Sequence, residues 1–175
     1  MELIKELPAL GRDLGPGLIL IGLTSLAAIL VGCLFEEWET LPWMATATVS
    51  LCGIGLLLRF LPKTSKVPRT STSIAATALV WVIVGLCGSL PFLFTGMSFL
   101  DAAFESMSAW TGTGFSVVAD IEAWPKTLLF WRSFMQWVGG LGIVAFTLTV
   151  ATRSGLVTRG LYNSESGSQA FMPSV

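Results

Sequence analysis

The chain has 175 residues, of which 53% are apolar and only 12% are charged, and its mean hydropathy is +0.76. Soluble domains carry about 25% charged residues, so this composition indicates a membrane protein whose main partner is the lipid bilayer. The net charge of −1 suggests no nucleic-acid partner. Histidine is absent, and no apolar segment offers paired carboxylates or a serine beside a base. We therefore expect that the chain is not an enzyme and has no cofactor.

Four apolar segments are long enough to cross a membrane as helices. They run from about Leu14 to Phe35, from Leu41 to Leu61, from Ser73 to Phe94 and from Pro125 to Ala151. The first three have roughly 21 or 22 residues, which measure about 32 Å as helices and so cross a hydrocarbon core of about 30 Å. Pro91 lies inside the third segment and is expected to kink it near its end. All three cysteines lie in apolar runs, which favours buried thiols over a disulfide or zinc set.

The distribution of charge predicts how these segments are oriented. Basic residues follow the second and fourth segments: Arg59, Lys63, Lys66, Arg69, Arg153 and Arg159. Acidic residues occupy the other two connections: Glu36, Glu37, Glu39, Asp101, Glu105, Asp120 and Glu122. By the positive-inside rule, both ends of this chain and the basic connection are cytoplasmic. Trp38, Trp43 and Trp124 then mark an outer aromatic belt. The outer acids either concentrate cations at a pore mouth or belong to ordinary solvated loops.

A shorter apolar segment, Phe99 to Trp110, lies between the third and fourth spans, and the run Thr111 to Phe115 follows at once. About 12 residues are too few to cross a bilayer. Its apolar residues recur at helical spacing, which predicts a short amphipathic helix that re-enters the membrane. The partial negative charge at its C-terminal end and the carbonyls of the Thr/Gly run both favour a cation. The alternative is a surface hairpin in which Gly112 and Gly114 are turn residues.

The fourth span contains an arginine, Arg132, about two turns from its start. An unpaired charge at that depth is costly and usually functional, and Glu105 on the short helix is a candidate partner that would brace the Thr/Gly run. Alternatively, the arginine extends to the outer surface along its own apolar stem. The small residues Gly139, Gly140 and Gly142 would allow another element to approach this span closely.

Four motifs, in this order and spacing, resemble the Trk/Ktr/HKT superfamily of potassium transporters. They are Leu90-Pro91-Phe92, the stretch from Asp101 to Ser106, the run Thr111 to Phe115, and the stretch from Leu129 to Ile143. The resemblance implies an all-α membrane protein in which a helix pair precedes one span–pore helix–filter–span repeat, like that of a two-span potassium channel. We expect the helix pair and its cytoplasmic loop at residues 1–70, the pore repeat at 71–152, and a cytoplasmic tail or linker to a further repeat at 153–175.

The same resemblance implies potassium uptake across a bacterial or archaeal cytoplasmic membrane. It places the selectivity filter on Thr111, Gly112, Thr113, Gly114 and Phe115, with potassium bound by the backbone carbonyls of the first four. In related plant transporters a serine in place of the filter glycine, here Gly114, goes with sodium preference. The resemblance also implies a cytoplasmic nucleotide-binding regulatory subunit.

The family carries four such repeats, whereas this sequence has one. The chain is therefore expected either to be part of a longer protein or to assemble with further repeats. The alternative function is a non-conducting membrane assembly subunit whose re-entrant loop packs against a partner.

Overall fold

A computed structural model describes residues 2–61 and 70–153, and this part of the chain is helical without a β-strand. The helices, in chain order, are α1 Glu2–Thr24, α2 Leu26–Leu34, a 3-10 helix Trp38–Thr40, α3 Leu41–Arg59, α4 Thr70–Ser89, a 3-10 helix Leu90–Thr95, α5 Phe99–Trp110 and α6 Lys126–Arg153. The predicted all-α fold is confirmed. The basic residues Lys63, Lys66, Arg69 and Arg159, and the predicted tail from residue 154, lie outside the described residues.

Four helical segments in the described ranges are long and apolar enough to cross a membrane. They are Leu14–Leu34, Trp38–Arg59, Ile74–Thr95 and Lys126–Ala145. The first three agree with the predicted segments to within a few residues. The fourth lies on α6, which begins one residue after the predicted start and continues to Arg153. At the other end of the chain, α1 begins at Glu2, well before the apolar run.

Two of the spans are interrupted. The first breaks between α1 and α2 at Ser25, whose Oγ donates a hydrogen bond to the Gly22 carbonyl at 2.6 Å and lies 2.5 Å from Thr48 Oγ1 of α3. In the third span, α4 ends at Ser89 and the chain continues as a 3-10 helix that contains Pro91. The disruption predicted at this proline therefore takes the form of a change in helix type.

Close packing between helices depends on small residues. A Cβ added at Gly15 of α1 would lie 2.6 Å from the carbonyl oxygen of Gly55 in α3, so these two helices touch backbone to backbone. A Cβ at Gly85 or Gly88 of α4 would similarly overlap side chains of α5. Small residues at such contacts let transmembrane helices approach closely. The C-terminal half of α5 is thus held closely against α4.

The buried centre of the bundle is aromatic. Trp110 at the end of α5 and Trp131 of α6 are almost fully buried and meet edge to face, with ring centroids 6.2 Å apart. Trp131 Nε1 also donates to the Gly88 carbonyl at 3.0 Å. Trp124 is only 9% exposed and packs on Phe92 at 5.3 Å. It therefore packs against this core, and its place in an outer aromatic belt stays a prediction.

The first connection is fastened to the start of α6 by Glu37. One carboxylate oxygen accepts from the backbone N–H of Lys126 at 2.7 Å, and the other accepts from Thr127 N at 2.8 Å and Thr127 Oγ1 at 2.7 Å. These N–H groups have no partner inside the helix, and the positive end of the helix dipole favours a carboxylate there. Partial burial acts to raise the pKa of Glu37, but the hydrogen bonds from Thr127 and Lys126 outweigh it, and the pKa lies below its usual value.

Candidate selectivity-filter site

The predicted short helix is present as α5, with the predicted limits Phe99–Trp110. Ser98 caps its start, since Ser98 Oγ accepts from Asp101 N at 3.2 Å and donates to Asp101 Oδ2 at 2.7 Å. At its other end, a Cβ added at Gly139 would lie 1.9 Å from the Trp110 carbonyl oxygen. The C-terminal end of α5 therefore rests on the backbone of α6. This is the close approach that the small residues of α6 predicted.

The backbone φ angles alternate in sign along the run that follows α5. Gly112 has φ +71° and Gly114 has φ +74°, whereas Thr111, Thr113 and Phe115 are not among the described residues with positive φ. Glycine adopts positive φ without the steric penalty that other residues incur. The two glycines are thus the residues that allow this backbone.

The N–H groups of the run point back at α5. Gly112 N donates to the Ala109 carbonyl at 3.0 Å, and Thr113 N and Gly114 N donate to the Ser108 carbonyl at 3.1 and 3.3 Å. In a trans peptide the C=O is antiparallel to the N–H of the next residue, and the described chain has no cis peptide. The carbonyls that precede these three N–H groups therefore point away from α5. They belong to Thr111, Gly112 and Thr113.

These three carbonyl oxygens have no hydrogen-bond donor among the residues that the structure describes. All residues from 111 to 117 are exposed in the isolated chain. A filter strand is expected to be extended from Thr111 to Phe115, but Thr111 still has helical angles and ends α5 with φ −81° and ψ −3°. The N–H groups bond to the end of α5 and not to a facing strand, and the alternative in which Gly112 and Gly114 are turn residues is not separated from the filter by this geometry.

The predicted pairing of Glu105 with Arg132 is present. Arg132 Nε lies 3.0 Å from Glu105 Oε2, and the Glu105 side chain is completely buried while that of Arg132 is 14% exposed. Arg132 therefore does not extend to the surface. The second carboxylate oxygen accepts from Ser116 Oγ at 2.6 Å and from Val117 N at 2.7 Å. One buried carboxylate thus joins α5, α6 and the chain that leaves the Thr/Gly run.

The last two carbonyls of the run face the protein. Arg132 Nη2 donates to the carbonyls of Gly114 and Phe115, each at 3.3 Å. Ser108 Oγ donates to the same Phe115 carbonyl at 2.6 Å. A methyl group added at Gly114 would lie 3.2 Å from Gln136 Nε2, so the amide of Gln136 lies directly behind this residue. The run therefore has free oxygens on one side and a polar support on the other.

Sequence reasoning identified Glu105 and Arg132 but missed Ser108, Ser116 and Gln136. Ser108 lies three residues after Glu105, so the two share one face of α5. Gln136 lies four residues after Arg132 and shares one face of α6. This spacing was the available signal. These side chains reach the run only because of the direction in which the chain returns after it. That direction could not be predicted from the sequence.

The chain is similar in sequence to known cation transport proteins. Residues 43–170 match the family described as TrkH, cation transport protein. An uncharacterized cation transporter of Methanocaldococcus jannaschii is 36% identical over 97% of this chain and 36% of its own length. The Trk system potassium uptake protein TrkH of Halomonas elongata is 36% identical over 88% of this chain and 33% of its own length.

A solved structure shows the same fold. The crystal structure of the potassium transporter TrkH from Vibrio parahaemolyticus matches 82% of this chain with a TM-score of 0.75 and 32% sequence identity, and the match covers 31% of that protein. The chain thus spans about a third of the length of the relatives it matches. These relatives are transport proteins by name, and the described chain has four helices able to cross a membrane. The chain is a multi-pass membrane protein that belongs to the TrkH cation transport protein family.

Proposed function

We propose that this chain contributes one strand of the selectivity filter in a potassium-uptake pore of the cytoplasmic membrane. The observation that carries the proposal is the run of three carbonyls, from Thr111 to Thr113, that point away from α5 and have no donor among the described residues. Free backbone oxygens held on one side of a rigid segment can replace the hydration shell of a cation. The names of the matched relatives support potassium as that cation.

A single strand binds an ion from one side only. The remaining oxygens come, in this proposal, from further pore repeats of the same or a longer chain, because the matched relatives are about three times as long as this chain. The proposed units are the helix pair at residues 1–70, the pore repeat at 71–152 and the linker from 153. A cytoplasmic nucleotide-binding regulatory subunit stays a prediction from the family resemblance.

In the proposed filter, Thr111, Gly112 and Thr113 present free oxygens, and the Gly114 oxygen is shared with Arg132. The ion pair of Arg132 with Glu105 supports the strand from behind. The negative end of the α5 dipole lies next to the strand and favours a cation there.

Gly114→Ser tests the proposal. At φ +74° a side chain costs about 1–2 kcal/mol, and its Cβ would lie 3.2 Å from Gln136 Nε2, so we expect the strand to shift. Preference for potassium over sodium should fall, as measured by potassium or rubidium uptake against competing sodium in cells that lack their own uptake systems. Gly96→Ser is the matched control, because Gly96 also has positive φ, at +80°, but lies outside the run with nothing within 4 Å.

The control separates backbone strain from filter chemistry. Both variants should accumulate less protein by a similar factor, but only Gly114→Ser should change the potassium-to-sodium ratio. A well-expressed Gly114→Ser protein with unchanged selectivity would show that Gly114 is a turn residue and that the filter is elsewhere.

A further inference from the structure

We propose that Ser108 is a positioning residue that holds the Thr/Gly strand from behind and thereby contributes to its selectivity; this inference rests on the proposed function. The Ser108 hydroxyl donates to the Phe115 carbonyl at 2.6 Å and accepts from Thr113 Oγ1 at 3.2 Å. The side chain is only 5% exposed. It therefore bonds to the strand at two points while remaining behind it.

The backbone of Ser108 bonds to the same strand. In a continuing α-helix, its carbonyl would accept from the N–H four residues later, which is that of Gly112. Gly112 N instead donates to Ala109, three residues before it, and the Ser108 carbonyl accepts from Thr113 N and Gly114 N. This carbonyl is also 3.1 Å from Thr113 Oγ1. The backbone carbonyl and the side-chain hydroxyl of Ser108 thus both bond to residues 113 to 115 of the strand.

The two groups have different chemical roles. The carbonyl holds N–H groups, and any residue at position 108 could supply it. The hydroxyl donates to the Phe115 carbonyl, and this bond requires a side chain that carries a donor at the same distance from the backbone. Without it, the Phe115 carbonyl would keep only the longer bond from Arg132 Nη2 at 3.3 Å. The side chain at 108 is therefore the part of this contact that a substitution can test without removing the backbone bonds.

Loss of this donor should affect discrimination between ions more than it affects folding. In the account of selectivity based on cavity size, discrimination between two cations depends on how far the carbonyl oxygens can move inward toward the smaller ion. Without the bond from Ser108, the Phe115 carbonyl is less restrained, and the peptides before it can move further toward the smaller ion. A net hydrogen bond of about 1 kcal/mol corresponds to about a fivefold change in an equilibrium, and this sets the typical size of the expected loss of preference for potassium.

The experiment compares substitutions at 108 in the complete native protein, expressed in cells without their own potassium uptake. Ser108→Ala should lower the ratio of potassium to sodium affinity by about fivefold while uptake is retained. Ser108→Thr keeps the hydroxyl and should restore the ratio. Ser106→Ala is the matched control: Ser106 is also a buried serine of α5, but its hydroxyl meets Met135 Sδ at 3.8 Å and not the strand. The Ser106→Ala protein should have the same ratio of potassium to sodium affinity as the unmodified protein.

The outcomes distinguish this inference from the proposed function. An unchanged ratio in Ser108→Ala, together with a lowered ratio in Gly114→Ser, would overturn the role of Ser108 and leave the filter assignment in place. Unchanged ratios in both would overturn both. Equal losses in Ser108→Ala and Ser106→Ala would also overturn the inference, because they would reflect helix packing. Should the alanine variant not reach the membrane, Ser108→Cys decides by the same ratio, since a thiol has similar shape and is a weaker donor.

Discussion

Neutralising one member of the Glu105–Arg132 pair should destabilise the protein far more than neutralising an exposed acid. Glu105 is completely buried, and its carboxylate receives three bonds: Ser116 Oγ at 2.6 Å, Val117 N at 2.7 Å and Arg132 Nε at 3.0 Å. In Glu105→Gln one of the two oxygens becomes an NH₂ group, which cannot accept. Either Arg132 or the pair Ser116 and Val117 then faces a donor in place of an acceptor.

The size of the effect follows from this geometry. Removal of one partner from a buried ion pair costs about 3–5 kcal/mol, because the other charge is left without compensation. Arg132 keeps its bonds to two backbone carbonyls and is 14% exposed, so the lower end, about 3 kcal/mol, is expected for Glu105→Gln. Arg132→Gln leaves the fully buried carboxylate without its cation, and the upper end is expected there. In the double variant the two losses should be far from additive, since both remove the same interaction.

Thermal unfolding of the detergent-solubilised protein, followed by size-exclusion chromatography of heated samples, measures these differences. Glu122→Gln serves as the control, because Glu122 is an exposed acid in the same connection. It should unfold at the temperature of the unmodified protein. If Arg132→Gln and Glu105→Gln unfolded at that temperature too, and transported normally, the pair would have no bracing role and the reasoning would be refuted.

Two further predictions concern packing and helix capping. Gly139→Ala should cost about 1–3 kcal/mol and reduce uptake, because the new methyl would overlap the Trp110 carbonyl at 1.9 Å; Gly140→Ala, with nothing within 4 Å, should be neutral in the same thermal assay. Glu37→Gln should cost about 1–2 kcal/mol by weakening the cap at Thr127. Since folding lowers the pKa of Glu37 from 4.5, its contribution is complete above that pH and is lost as the pH falls through the lower folded value. The difference between wild type and Glu37→Gln should therefore shrink in acid, and a difference that grew would contradict the capping role.

The elements that the sequence predicted well are those whose signals are local. The helix Phe99–Trp110 has the predicted limits because its length, its periodicity and the Thr/Gly run at its end all lie within a few residues of it. The four spans were found because an apolar run of sufficient length has few alternatives. The pairing of Glu105 with Arg132 was predicted because a charge inside an apolar helix requires a partner, and few acids were near enough in the repeat.

The features that were missed depend on how the chain folds back on itself. The break at Ser25 lies in an unbroken apolar run, and its hydroxyl is placed beside Thr48 of another helix. Trp124 is in the core because the connection returns it to Phe92. Ser108 is one of many serines, and its role follows from the direction the chain takes after Gly114. The contacts of Ser25 and Trp124 are tertiary, and no local pattern specifies them; for Ser108 the spacing from Glu105 was the available signal, but the path of the chain was not.

The direction of the N–H groups in the Thr/Gly run has a consequence for which kinds of ion the strand could accept. Every N–H from Gly112 to Gly114 is bonded to the end of α5, so the positive ends of these peptide dipoles are turned inward and their negative ends outward. An anion on the side of the strand that faces away from α5 would meet three carbonyl oxygens and no N–H donor from these peptides. A peptide dipole has no ionisable proton, so this rejection of negative charge would persist at any pH at which the fold survives. The sign of the admitted charge would then be fixed by the path of the main chain.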